Sequence, residues 1–339
     1  VGLDRSGWHE KFLDALSRLG EGRRDLRCIT VNLDRSDWLR QLDGVSMVLW
    51  KPHYMGHEFS GYFKEKVYFM ERFLGLTVVP NFSTVWHFES KAAQSYLFDH
   101  VKAPTPKTVV SFDYDEASDL ASRETYPVVR KLSAGAGSVN VRAVGSREDM
   151  RKDLEKTFCS TLWDRHLPGA RRARRILSGL PLRWFREYAR RRILKLGLPG
   201  MAYWQEFIRG NDADLRITVI GDRYATGFWR DNRPGDFRAS GGGRLVYHRP
   251  LPEDAVRECL RISRRLDLDS MAYDILFRDG DMVICEMSYG YSDSAVHRVS
   301  GYQVLREDGS LTSVPGNTWP QELWVRWALH RLETRDCTI

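Results

Sequence analysis

The sequence predicts a mixed α/β (α+β) protein built in successive segments, and three observations carry that prediction. Helical and strand-like runs alternate through the first 85 residues. A β-branched run leads through a glycine-rich loop into a second such run over residues 126–144. Two hairpin turns, Gly221-Asp222 and Asp279-Gly280, organise the last third. With 339 residues, 42% hydrophobic and 29% charged, the chain can bury a sizeable core and lacks the bias of disordered, collagen-like or disulfide-scaffold sequences. No run approaches the 18 or so apolar residues of a helical membrane span. The opening VGLDRSGWHE has neither the apolar centre of a signal peptide nor an initiator Met, and reads as a truncated start.

Trp8, Phe12, Leu13, Leu16 and Leu19 recur at helical spacing and predict a helix over residues 8–19. Residues 27–33 (RCITVNL) and 45–51 (VSMVLWK) read as strands, 62–74 as a second helix and 77–80 as a further strand, which makes residues 1–85 a small α/β domain. A helix over 89–100 ends at Ala103-Pro104-Thr105-Pro106, where two prolines force an extended connection. A strand at 108–112, a short helix at 116–122 and a strand at 126–131 (YPVVRK) lead into Gly135-Ala136-Gly137-Ser138 and a strand at 139–144. Beyond residue 200, strands are expected at 201–208, 215–220, 224–229, 272–277 and 282–287, with an amphipathic helix at 252–266 and a Trp-rich helix at 319–332.

The net charge of +7 is unevenly spread. Residues 165–195 hold eleven Arg or Lys against the single acid Glu187, a local +10 that leaves −3 for the rest of the chain. Ile176, Leu177, Leu180, Trp184, Phe185, Tyr188, Ile193 and Leu194 interleave with those arginines, as in a pair of basic amphipathic helices. Three readings stay open for this cassette. It packs as a solvated helical hairpin or an oligomer contact, it meets an anionic membrane surface or polyanionic acceptor, or it meets nucleic acid, the least favoured of the three. Five scattered cysteines with no C-x-x-C read as reduced thiols of a cytoplasmic protein, with Cys28 and Cys285 in the core.

Charged residues that interrupt apolar strands mark the candidate chemistry. Lys131 closes a strand before the glycine-rich loop. Asp274 and Glu286 lie on the two strands of one hairpin, where pairing can bring two carboxylates together on one face. Facing carboxylates suit Mg²⁺, and a lysine with loop amides suits phosphates. The plain alternative is a solvent-facing edge hairpin.

Taken in order, ESKAAQSYLFDHVKAPTPKT, YPVVRKLSAGAGSVNV, YWQEFIRGNDADLRITVIGDRYATGFWR, FRASGGG and AYDILFRDGDMVICEMS resemble the ATP-grasp superfamily. The RimK-like branch, with glutathione synthetase and D-alanine–D-alanine ligase as relatives, is the nearest pattern. The resemblance implies an ATP-grasp fold with a small pre-ATP-grasp domain (1–85) and two α+β subdomains holding ATP between them. These are a central subdomain (86–205, with the basic insertion at about 161–200) and a C-terminal subdomain with the metal site (206–339). It further implies that Lys91 and Lys131 contact phosphates, and that Gly135, Gly137 and Ser138 lie in the loop over the β- and γ-phosphates. Glu206, Phe207 and Ile208 would form the hinge at the adenine edge, and Asp214 would lie at the ribose. Arg216, Arg230 and Arg238 would hold the transferred phosphoryl group or the acyl substrate, and Asp274, Glu286 and Ser288 the metal.

On that resemblance the chain is expected to use ATP with one or two Mg²⁺ ions, Mn²⁺ being the alternative. It would activate a carboxylate as an acyl phosphate and couple it to an amine, the substrates being small molecules or peptide- or sugar-linked acids. Other readings are a kinase of the same fold acting on a hydroxyl and a nucleotide-binding scaffold with weak catalysis. Ser288 replaces the family's Asn, which leaves a weaker ligand and a possible role for Asp293; Tyr289-Gly290-Tyr291 replaces the usual Pro-Gly. His53, His57 and Glu58 have metal-like spacing, but Pro52 and Gly56 oppose a regular helix there, and an acceptor contact is the preferred reading. Peripheral attachment at the inner membrane surface and homo-oligomerisation both follow only if the cassette makes such contacts.

Overall fold

The structure, a computed structural model, describes residues 1–4, 6–20, 26–52, 60–131, 141–165, 200–233, 235 and 244–336. The expectations for His53, His57 and Glu58, for Gly135, Gly137 and Ser138, for Arg238 and for the cassette beyond Arg165 lie outside the described residues. Among the described residues no helix is long and apolar enough to cross a membrane. The chain forms two compact units: Val1–Glu89, Tyr96–Pro104 and Gly210–Ile339 make up the first, and Ser90–Ser95 with Thr105–Arg209 the second.

The first unit opens with helix α1 (Trp8–Leu19) and a parallel pair, β1 (Met47–Leu49) and β2 (Thr77–Val79), flanked by α2 (Ser60–Arg72) and the single turn α3 (Phe82–Val85). A large antiparallel sheet follows, made of β7 (Ala213–Ile220), β8 (Tyr224–Asp231), β9 (Leu245–Val246), β10 (Ser270–Arg278), β11 (Asp281–Ser288), β12 (Gly301–Leu305) and β13 (Leu311–Pro315). Its order is β11-β10-β7-β8-β12-β13, with β9 on β8. Leu215, Ile217 and Val219 alternate with Asp214, Arg216 and Thr218 along β7, so one face of the sheet is apolar and the other carries charge. Helix α7 (Glu253–Arg265) lays Val256, Cys259, Leu260 and Ile262 in the core cluster that includes Leu215, Ile217, Tyr273 and Ile275. The C-terminal helix, α9 (Pro320–Asp336), packs Trp324 and Val325 with Trp8 and Phe12 of α1.

The second unit is a four-stranded antiparallel sheet, β3 (Thr108–Ser111), β6 (Ala202–Glu206), β4 (Val128–Lys131) and β5 (Val141–Val144) in that order. Helices α5 (Tyr114–Ser122) and α6 (Arg147–Arg165) close its core with Ala117, Ala121, Met150, Leu154 and Phe158 against Val128, Val144 and Trp204. Helix α4 (Lys91–His100) begins in this unit.

Two expectations are corrected, and two elements were unforeseen. Residues 27–33 form no strand; among the described residues their one ladder pairing is a bridge between Val31 and Gly2. Asn32 explains this, since its N–H donates to Gln41 Oε1 at 2.7 Å and its Oδ1 accepts from the N–H of Asp34 at 3.0 Å, so side chains replace a ladder partner. Cys28 is exposed and Cys285 half-buried; among the described cysteines the core thiol is Cys259. The β12–β13 hairpin and the short helix α8 (Asp293–His297) were not expected, because those strands are mostly half-exposed and polar and give little apolar signal.

Candidate active site

The charged face of the large sheet holds the candidate site. Strand pairing sets Asp214 opposite Arg230 across β7–β8, Arg216 opposite Asp274 across β7–β10, and Asp274 opposite Glu286 across β10–β11. Side chains at paired positions share a face, so these residues line up across four strands. The last pairing depends on an irregularity. From Arg278↔Asp281 to Ile275↔Ile284 the hairpin runs in simple register, then slips by one residue so that Asp274 meets Glu286 and not Cys285. That bulge re-aims Glu286 onto the charged face while Ile284 and Met287 both stay in the core.

The guanidinium of Arg216 grips Asp274 with both ends, Nε to Oδ1 at 2.7 Å and Nη2 to Oδ2 at 2.8 Å. Arg230 grips Asp214 the same way, Nε to Oδ1 at 2.6 Å and Nη2 to Oδ2, and its Nη2 also lies 2.9 Å from Asp274 Oδ2. Forked guanidiniums suit such two-point contacts. Backbone approach is close here, since a Cβ on Gly227 of β8 would stand 2.6 Å from the carbonyl oxygen of Arg216. Burial raises the Asp214 carboxyl above the ordinary carboxylate range, with Arg230 opposing. Burial acts on Asp274 too, but Arg216 and Arg230 outweigh it and hold that carboxyl well below the usual range. The two carboxylates keep Arg230 charged against the cost of its own burial.

Glu286 and Ser288 follow on β11, on the same face, with Ser288 opposite Ala272. Among the described residues no group of three or more His, Cys, Asp or Glu could hold a metal ion. Mg²⁺ asks for less, since one or two carboxylates with water and substrate phosphate suffice. The donors fit that requirement. Of the hydrogen bonds on Asp274, Oδ1 accepts one and Oδ2 two, which leaves acceptor capacity at Oδ1 on the face shared with Glu286. The hydroxyl of Ser288 accepts the N–H of Gly290 at 3.1 Å, which orients it. Asp293 is not available in its place: Lys11 Nζ and Gln321 Nε2 hold its Oδ2 at 2.6 and 2.8 Å, and its Oδ1 takes the N–H of Ser294.

The replaced Pro-Gly also has a structural account. Tyr289 packs its ring on Phe63 and Phe88, and Tyr291 bonds Ser270 Oγ and Trp324 Nε1 at 2.7 and 2.8 Å, so both tyrosines anchor the segment after β11 in the two cores of this unit. Gly290 between them sits close to the same ring: a Cβ there would lie 3.0 Å from Phe88, so the ring would have to give by a few tenths of an ångström.

In the second unit Lys91 opens α4 and Lys131 ends β4, both buried. Glu206 ends β6, its N–H bonded to the Lys107 carbonyl at 2.9 Å, and Phe207 and Ile208 continue beyond the strand. Reading the sequence gave the residue types of the charged row but not their pairing; it missed Lys51, which closes an apolar run as Lys131 does.

Residues 190–304 match the family described as RimK-like ATP-grasp domain. Among curated proteins the chain is similar to the alpha-aminoadipate–LysW ligase LysX of Saccharolobus solfataricus, 24% identical over 213 residues, 63% of this chain and 65% of that one. The LysX of Sulfurisphaera tokodaii is 26% identical over 160 residues, 47% of this chain and 44% of the relative. The matched segments thus span less than two thirds of these relatives. Among solved structures, a RimK domain ATP-grasp protein from Sphaerobacter thermophilus superimposes with a TM-score of 0.52 at 14% identity, over 86% of this chain and 90% of that one. An ADP complex of the purK N5-carboxyaminoimidazole ribonucleotide synthetase gives 0.50 at 9% identity, over 78% and 60%. The domain match and the shared fold agree with the order of elements and with the charged row: residues 190–304 match a RimK-like ATP-grasp domain, and the chain has the fold of the ATP-grasp protein it superimposes on.

Proposed function

We propose that the protein is an ATP-dependent carboxylate–amine ligase that works through an acyl phosphate. The observation that carries this reading is the row Asp214, Arg230, Asp274 and Arg216, with Glu286 alongside, on one sheet face. Its two guanidiniums are arranged for phosphoryl and carboxylate oxygens, and its carboxylates for a divalent cation. The similarity to LysX ligases supports the same reaction class.

In this reading an oxygen of the donor carboxylate attacks the γ-phosphorus of ATP and ADP leaves. An amine nitrogen then adds to the acyl carbon, the C–O bond to phosphate breaks, and amide, phosphate and a proton are released. Negative charge crowds during both steps, and Arg216, Arg230 and Arg238 offset it. Lys91, Lys131, Gly135, Gly137 and Ser138 bind the nucleotide phosphates, Glu206, Phe207 and Ile208 the adenine edge, and Asp214 the ribose side. Asp274, Glu286 and Ser288 would hold Mg²⁺, which when bound neutralises phosphate charge. Asp274 is preset for this by its depressed pKa, and Arg230 can pass from the carboxylates to a phosphoryl oxygen without crossing the sheet. No Ser, Cys or His nucleophile is needed. Functionally the chain divides into a pre-ATP-grasp segment (1–85), a central segment (86–205) and a metal-bearing segment (206–339), and its substrates are small or peptide-linked acids and amines.

The test uses ATP, Mg²⁺ and pooled carboxylic acids with hydroxylamine as the amine. Hydroxamate formed together with ADP, and lost in Glu286→Ala, supports the ligase. ADP without hydroxamate, with phosphate appearing on a hydroxyl compound, replaces it with a kinase.

A further inference from the structure

Lys51 stands two residues past the end of β1, at the carboxyl edge of the parallel β1–β2 pair, the edge at which open parallel sheets receive ligands. Its side chain is buried, with only 9% exposure. The ammonium lies over two aromatic faces, 4.4 Å from the Tyr289 ring centroid and 5.4 Å from that of Trp8. Among the described residues it has no hydrogen-bond acceptor and no ion-pair partner.

The carboxylates whose charge reaches it are committed elsewhere. Asp4 accepts the N–H groups of Ser6, Trp8 and His9 and the Ser6 hydroxyl, and Asp293 holds Lys11 and Gln321. Tyr289 contributes no charge, since burial raises its phenol well above the ordinary value. A buried cation without a counter-ion among the described residues is unfavourable, and burial lowers the Lys51 ammonium to about 8 against the pull of Asp4 and Asp293. The arrangement is relieved by an anion from outside the chain. Tyr289 directly follows Ser288, at the end of the strand that carries Glu286, so this ammonium lies beside the end of the strand that supplies the candidate metal ligands.

We propose that Lys51 binds a carboxylate of a ligation substrate, either the acid that is activated or an anionic group carried by the acceptor amine. The proposal rests on the ligase reading above and names a substrate feature that reading leaves open. It also accounts for the aromatic walls, which shield the ammonium from water and so strengthen its pairing with an anion.

The test compares the full chain with Lys51→Met and Lys51→Arg, after thermal melting has shown all three folded. Donor activation is read as hydroxamate formation from pooled acids with hydroxylamine, an acceptor without an anionic group. Acceptor use is read with pooled amino acids against the amines of the same side chains lacking the carboxylate. If Lys51 holds the donor, Lys51→Met raises the KM for the acid about tenfold or more. If it holds the acceptor, a rise of that size is confined to the amino acids. In either arm Lys51→Arg recovers part of the loss and kcat changes less than KM. Equal KM values in both arms, or a loss of kcat alone with every substrate, overturn the proposal. Failure of the unsubstituted chain to form hydroxamate defeats the ligase reading instead. Lysine ε-carbon NMR then decides for Lys51, whose titration must move to higher pH in acetate than in chloride; an unmoved titration overturns the inference without any turnover.

Discussion

Arg130 and Arg230 are both buried in β-strands, one in each unit, and they are satisfied in different ways. Arg130 of β4 bonds the carbonyl oxygens of Tyr203, Met201 and Lys131, with Thr157 Oγ1 at 3.0 Å and Asp153 Oδ2 at 2.7 Å. Most of its partners are backbone atoms fixed by β4, β6 and the chain entering β6, so it stitches strands and α6 together. Arg230 of β8 bonds carboxylates, Asp214 and Asp274. Carboxylate side chains can exchange partners as phosphate and metal arrive, whereas ladder carbonyls cannot. The comparison teaches that a buried arginine is read by what it bonds and not by its depth.

Five experiments break or sharpen the contrast, beginning with the largest effect. Glu286→Ala lowers ADP release on the order of 10³-fold and costs less stability than the loss of a fully buried charge, because Glu286 is only half-buried. Arg130→Met does the reverse. Asp153 keeps its pairing with Arg142, but the Tyr203, Met201 and Lys131 carbonyls and Thr157 lose their buried donor, which costs about 3 kcal/mol in urea unfolding, while turnover by the folded fraction persists. Arg230→Lys keeps the charge and loses the fork, and is expected to reduce kcat about 10²-fold with a smaller loss of stability than Arg130→Met. Equal destabilisation by the two would erase the distinction.

The fourth concerns pH. Burial raises Glu71 to about 7, with the N–H of Phe82 opposing and Asp269 adding to the rise. The folded chain then binds the proton more tightly than the unfolded one, so stability falls as pH rises from the ordinary carboxylate value through 7. Glu71→Gln removes that slope and stabilises the chain at pH 8 on the order of 1 kcal/mol, after allowance for partial exposure; unfolding curves at pH 5 and pH 8 check it. Smallest is Ser288→Asn, which restores an amide oxygen beside Glu286 and lowers the Mg²⁺ concentration for half-maximal rate a few-fold.

Much of the fold was legible because local rules governed it. The alternation in β7 and the turns at Gly221-Asp222 and Asp279-Gly280 set the hairpins, and the two prolines after α4 ended that helix. The residue types of the charged row were legible for the same reason: charges standing in apolar strands stand out. What could not be read was set by long-range geometry. The one-residue bulge opposite Asp274 has no composition signal, yet it decides which face Glu286 takes. The grip of Arg216 on Asp274 joins strands 58 positions apart. Lys51 is buried by Trp8 and Tyr289, far from it in sequence, and residues 27–33 lose their strand to side-chain bonds from Asn32 and Gln41.

The central claim is that the charged row carries an acyl phosphate. It is tested most directly with pooled carboxylic acids labelled with ¹⁸O in both carboxylate oxygens, ATP, Mg²⁺ and hydroxylamine, reading the released phosphate by mass spectrometry. Attack of the carboxylate on the γ-phosphorus, followed by breakage of the acyl C–O bond, predicts one ¹⁸O in each phosphate formed with hydroxamate. Unlabelled phosphate released alongside hydroxamate would contradict the account.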